Sequence, residues 1–195
     1  MMKRTLPAAG ALLMIGSAQC ILAMIVSEAL YQGYSIANNV ISDLGVGISA
    51  MIFNPSIIIF GVLVIIAAYI LFQDTGNRIH SVLLFLAGGG AAMVGFFPLY
   101  WGIVHYISAG TAFLAGGLVA IVSFVYTRAP FRWFSIVLGS FSIAVLLLYI
   151  SGIYLGIGRG GMERMIAYPV IIWTACYGGY LSAGTSDFSL FNKNN

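Results

Sequence analysis

Four acid–base side chains occur at the ends of long apolar runs rather than inside them: Glu28, Asp43, His105 and Glu163. A carboxylate beside an imidazole is enough for general acid–base catalysis or metal-assisted hydrolysis, so these four are the catalytic candidates. Ser42, Asp43, Asn54, His105 and Arg164 form an overlapping set, whose hydroxyl, carboxylate, amide, imidazole and guanidinium groups suit ligand binding. The reaction stays open. No nucleophile motif accompanies the carboxylates. Glu28, Asp43 and His105 would make an unusual zinc set, since catalytic zinc ordinarily takes three protein ligands of a different mix. Cys20 and Cys176 both fall in apolar runs and read as small buried hydrophobes rather than a disulfide or metal pair. We expect no metal site, and the sequence names no cofactor.

Each candidate also has a structural reading. Ser42-Asp43-Leu44-Gly45 ahead of an apolar run is turn chemistry: Ser42 or Asp43 caps backbone amides and Gly45 or Gly47 supplies a positive φ. Glu28 and His105 would offset the cost of burial by pairing with each other, or with Arg159 or Arg164, or they are solvated at the membrane margin. Glu163 near the start of the last helix suits the helix dipole, and Glu163-Arg164 is either that or a clamp at a site. His80, two residues after Arg78, reads as an ordinary interfacial residue.

The elements that must position these residues follow from composition. The chain has 195 residues, of which 61% are hydrophobic and 7% charged. Its mean hydropathy is +1.04. Soluble domains carry about 25% charge, so lipid must be the solvent here. Eight Lys and Arg against five Asp and Glu is too small and dispersed an excess for nucleic acid. Six apolar segments predict spanning helices over about 6–30, 51–72, 81–101, 104–127, 133–155 and 164–184. A lone span must satisfy its own backbone hydrogen bonds, so the fold class is all-α: a polytopic transmembrane bundle of six helices. One domain takes up residues 1–184, followed by a polar, mobile tail over 185–195. Lys3-Arg4 ahead of an apolar stretch imitates a signal peptide, but a run of some 20 residues predicts an uncleaved first helix.

Charge sets the expected orientation. With the N-terminus in the cytoplasm, Lys3, Arg4, Arg78, Arg128, Arg132 and Lys193 lie inside, and Arg159 and Arg164 lie outside: six against two. Both termini are then cytoplasmic, in the cell membrane, and Glu28, Asp43, Asn54, His105, Glu163 and Arg164 share the outer level. Ala109, Ala112 and Gly116 give the fourth helix a small-residue stripe, and His105 lies four residues before it, on the face that meets protein. Trp101, Trp133 and Trp173 read as interface markers.

Ile41-Ser42-Asp43-Leu44-Gly45 followed by Phe53-Asn54-Pro55-Ser56 resembles the DUF998 family of uncharacterised prokaryotic multi-pass membrane proteins. Val94-Gly95-Phe96-Phe97-Pro98 with His105, and Gly160-Gly161-Met162-Glu163-Arg164 with Tyr168-Pro169 and Trp173, fit the same pattern. The resemblance covers nearly the whole chain and implies a six-helix bundle. The loop is more distantly similar to that of the Frag1-like and autophagy-modulator proteins.

The leading functional expectation is an integral membrane protein with an outward polar site that binds lipid or a partner. Two alternatives stand beside it: an accessory subunit of a larger membrane complex, such as a respiratory one, and a lipid-modifying enzyme. Membrane lipids, and other membrane-protein subunits under the second reading, are the expected partners. A transporter would carry polar residues at its span centres, where this chain offers chiefly Gln19.

Overall fold

The computed structural model describes residues 5–184. The tail at 185–195 and the charges at Lys3, Arg4, Asp187 and Lys193 lie outside the described residues. Six α-helices make up the fold: α1 (Leu6–Leu30), α2 (Ala50–Thr75), α3 (Arg78–Phe96), α4 (Ile103–Val122), α5 (Phe131–Ile150) and α6 (Gly158–Ser182). Local chemistry sets their ends. Gly76, at φ 67°, closes α2, and the Asn77 side chain caps α3 by accepting from the His80 amide at 3.2 Å. Pro98 stops α3 at Phe96, so this span ends sooner than hydropathy suggests, and Leu99–Trp101 forms a separate 3-10 turn.

Each helix packs on its sequence neighbours, and α6 closes back on α1, so the six form a ring. Three seams rest on paired glycines. A Cβ at Gly61 would lie 2.4 Å from the Gly88 carbonyl between α2 and α3. A Cβ at Gly139 would lie 2.6 Å from the Gly117 carbonyl between α5 and α4, and one at Gly10 would lie 2.4 Å from the Gly178 carbonyl between α1 and α6. Backbones approach this closely only where side chains are absent, which is how helices gain packing energy in lipid. Gly90 does the same against Ala112 on α4. The other two seams are bonded. Gln19 Nε2 donates to the Ser56 carbonyl at 3.0 Å, and Ser56 Oγ donates back to Gln19 Oε1 at 2.9 Å. Ser142 Oγ donates to the Ile166 carbonyl at 2.8 Å, joining α5 to α6.

The outside of the ring is apolar. Ile15, Leu22, Tyr69, Phe85, Ile107 and Val137 are all exposed there, a surface that water would not tolerate and hydrocarbon does. Five of the six helices, α1 to α5, are long and apolar enough to cross a membrane. The chain is a multi-pass integral membrane protein. Helix α6 is less apolar and more enclosed, burying Glu163, Arg164, Trp173, Thr174 and Tyr177. It begins at Gly158, six residues before the predicted span, because its charged residues pair within the protein and need not stay outside the helix.

Three sequence readings are corrected. Trp173 is fully buried, its indole donating to Ser135 Oγ at 3.0 Å, so it is a core residue and not an interface marker. His80 is 1% exposed and packs against Tyr126 and Tyr177. Cys176 lies on an exposed face, whereas Cys20 is buried.

The glycine seams predict a contrast between near neighbours. Gly61→Ala meets the Gly88 carbonyl and the Ala92 amide nitrogen of α3 and should destabilise the bundle by about 1–3 kcal/mol. Gly89→Ala meets nothing within 4 Å. It should be neutral or gain up to about 1 kcal/mol from helix propensity. Unfolding midpoints in detergent measure both.

Candidate functional site

The connections 31–49, 97–102 and 151–157 gather at one end of the ring, called here the loop end. Two charged residues adjacent on α6 organise it, and a helix turns about 100° between them, so they serve different faces. Arg164 serves the first. Its guanidinium donates to the carbonyls of Ile36 at 3.1 Å, Asn39 at 3.0 Å and Gly160 at 2.9 Å. It also donates to Glu28 Oε1 at 2.8 Å and to the Tyr34 hydroxyl. Burial pushes the Tyr34 phenol up to about 12, so it meets the guanidinium as a neutral group. The loop lies tight on α6: the Gly160 amide donates to the Ala37 carbonyl at 2.9 Å. A Cβ at Gly160 would fall 2.0 Å from the Asn39 carbonyl.

Glu163 serves the second face and is 5% exposed. Its Oε2 accepts from the Ile41 amide at 2.7 Å, and its Oε1 lies 3.0 Å from Ser42 Oγ. Ser42 Oγ lies 2.9 Å from His105 Nε2, and His105 Nδ1 lies 2.8 Å from the Phe97 carbonyl. That carbonyl is left free because Pro98 ends α3 there. A carbonyl only accepts, so Nδ1 carries a proton. Two hydrogen bonds then meet at Ser42 Oγ, which has one proton of its own. The second comes from His105 or from Glu163, and the serine hydroxyl joins the two.

Asp43 Oδ2 accepts from the Val40 amide at 3.1 Å and the Asn39 side chain at 3.1 Å, capping the 3-10 turn Ile41–Gly45. Asn54 donates to the Gly45 carbonyl at 3.1 Å, tying that turn to α2. A Cβ on Gly45 would sit 2.7 Å from Asn54 Oδ1, which explains the glycine.

A polar cavity of about 350 Å³ opens beside this cluster, walled by Asp43, His105, Tyr106, Tyr149, Arg159 and Glu163. Part of its wall is residues of α4 and α5 that also reach the outside of the bundle, Tyr106 at 58% and Ile150 at 72% exposed. Arg159 is exposed at the start of α6, beside Tyr149. A second, apolar cavity of about 80 Å³ lies inside the ring among Phe60, Leu84, Ala91 and Ile171. Both cavities are lined by Ser42, Ala109, Phe113 and Glu163.

Of the residues nominated from sequence, Ser42, Asp43, His105 and Glu163 share the polar cavity. Glu28, Asn54 and Arg164 line neither cavity and hold the loop in place. Tyr106, Tyr149 and Arg159 went unnominated. The signal for Arg159 was present, an arginine at the outer level, but its neighbour Tyr149 ends a different helix and no spacing links the two. Among the described residues, no group of three His, Cys, Asp or Glu is placed to share a metal ion.

The chain belongs to the DUF998 family, described as "Protein of unknown function", which matches residues 14–180. No curated protein and no solved structure matches it.

The Arg164 clamp yields a prediction. Arg164→Gln leaves Glu28 and two loop carbonyls without their donor and should cost about 3–5 kcal/mol. Glu28→Gln keeps an acceptor for the guanidinium and should cost less. Unfolding midpoints in detergent give the order.

Proposed function

We propose that this DUF998 protein binds an amphiphilic lipid from the outer leaflet of the cell membrane, with the polar head in the cavity at the loop end. The observation carrying this reading is the meeting of a polar cavity and an apolar one at Ser42 and Glu163. A volume of about 350 Å³ falls within the range of small-ligand sites, roughly 300–1,000 Å³. Arg159 and Tyr149 offer donors to a head group, and Asp43 offers an acceptor. The apolar cavity holds only the first few methylenes, so the chains stay in the bilayer alongside α4 and α5. Such a lipid needs no aqueous path: it enters sideways between those helices.

Orientation belongs to the same reading, with both termini cytoplasmic and the loop end outside. Asn38 is exposed at the loop end, and Ala129 is exposed in the connection between α4 and α5 at the other. In a background without Cys20 and Cys176, Asn38→Cys should label with an impermeant maleimide in intact cells. Ala129→Cys should label only after permeabilisation. The reverse pattern overturns the placement of the site.

Binding is tested by native mass spectrometry after gentle extraction. The protein should carry a co-purified lipid. Gly110→Trp fills the polar cavity from α4, and the first atom of the new side chain meets nothing within 4 Å. It should reduce the bound lipid about tenfold or more while the melting midpoint holds. A folded wild-type protein free of lipid, or equal occupancy in the variant, defeats the proposal.

A further inference from the structure

We infer that Ser42 is the nucleophile of an acyl-transfer site acting on lipid esters, with His105 as its general base. The inference rests on the lipid-binding reading of the same cavity. Its first support is geometry. Ser42 Oγ stands 2.9 Å from His105 Nε2, and Nδ1 is held at 2.8 Å from the Phe97 carbonyl. Because Nδ1–H donates to that carbonyl, Nε2 of the neutral ring is the acceptor, and the nitrogen facing the serine is the one able to take its proton. A nucleophile bonded to a base whose far side is fixed by a third group is the arrangement that activates serine.

The second support is position. In an ester lipid, the carbonyl lies between the polar head and the acyl chain. Ser42 and Glu163 are the polar side chains that line both the polar and the apolar cavity, and they are 7% and 5% exposed. A lipid with its head among Arg159, Tyr149 and Asp43, and its first methylenes near Phe113, presents that carbonyl to Ser42.

The chemistry balances without a cofactor. Ser42 Oγ adds to the ester carbonyl carbon while its proton passes to His105 Nε2. The C–O bond to the lipid alcohol breaks, and that alcohol leaves with the proton from His105. An acyl ester on Ser42 remains. Water from the polar cavity then adds to it, giving its proton to His105, and the fatty acid leaves as Ser42 regains the proton. Glu163 holds the proton shared across Ser42 in the reactive form, so it can donate to the oxygen that becomes negative. The Ile41 amide, now on Glu163 Oε2 at 2.7 Å, is the neighbouring backbone donor.

A short-chain alkyl fluorophosphonate tests this separately from lipid binding, because it needs only the polar cavity. The purified full-length protein should form one covalent adduct, mapped by peptide mass spectrometry to Ser42. Ser42→Ala should abolish it. His105→Ala should slow it by about 10²-fold or more, as loss of a general base does. An unmodified Ser42 in folded wild-type protein overturns the inference, as does an undiminished rate in a His105→Ala protein of wild-type melting midpoint. Should His105→Ala fail to fold, the wild-type adduct decides alone. Lipid retained by a protein that gives no adduct would sink the catalytic inference and leave the binding proposal standing.

Discussion

A buried guanidinium governs the loop end. Arg164 is 3% exposed, and a positive charge so enclosed is tolerable only with a counter-charge and acceptors for its N–H groups. Glu28 supplies the charge from the end of α1. The carbonyls of Ile36 and Asn39 supply two acceptors, which obliges the connection between α1 and α2 to fold back over α6 rather than stand in solvent. Gly160 follows from the same demand, since any side chain there would collide with those carbonyls. Once residues 36–39 are fixed, the next two, Val40 and Ile41, have little choice of position. The amide of Ile41 reaches Glu163, and Ser42 is set between Glu163 and His105.

The same constraint accounts for the character of α6. A helix carrying Glu163 and Arg164 within its first two turns cannot turn both toward lipid, because an ionisable group in hydrocarbon is costly. Its neighbours enclose it instead. With more of its surface in contact with protein, α6 can hold Trp173, Thr174 and Tyr177 at buried positions that α5, exposed along much of its length, fills mainly with Ser, Gly and aliphatic residues. The polar content of the last helix and the closure of the ring between α6 and α1 are thus one feature.

Much of this was legible in the sequence, for reasons that differ by residue. Spans show in hydropathy because lipid leaves few alternatives to a helix, and α1 is found where the apolar run predicts it. The placement of His105 against protein followed from spacing, since it shares a stripe with Ala112, which meets Gly90 of α3, and Gly116, which meets Val170 of α6. What pairs at a distance did not show. The bond between Ser42 and His105 joins residues 63 apart, and that between Ser42 and Glu163 joins residues 121 apart. No local pattern encodes either. Trp173 and His80 misled for different reasons. Trp173 lies well inside α6, and only its enclosing neighbours place it in the core. An aromatic near a span end, as His80 is, sits at the membrane margin when its helix faces lipid, and in the core when its neighbours enclose it. Hydropathy does not distinguish the two.

Glu163 and Arg164 also show how a cluster that holds a fold differs from one that leaves room for something else. Both side chains are buried, and both bind the same loop. Around Arg164 both terminal nitrogens are bonded to Glu28, Tyr34 and the backbone carbonyls, Nε alone lacks a partner, and neither cavity touches the residue. That is the packing expected of a group whose work is stability, since interiors otherwise fill to crystal-like density. Glu163 would be served equally well by the same closure, yet one side of its cluster borders a polar cavity of about 350 Å³. Space of that size beside buried polar atoms forgoes packing that neighbouring side chains could have supplied. Larger residues at Ala109 or Gly110 would fill part of it; at Gly110 the first added carbon would meet no neighbour within 4 Å. Stability alone gives no reason to keep small residues at both positions, and the head group proposed above would.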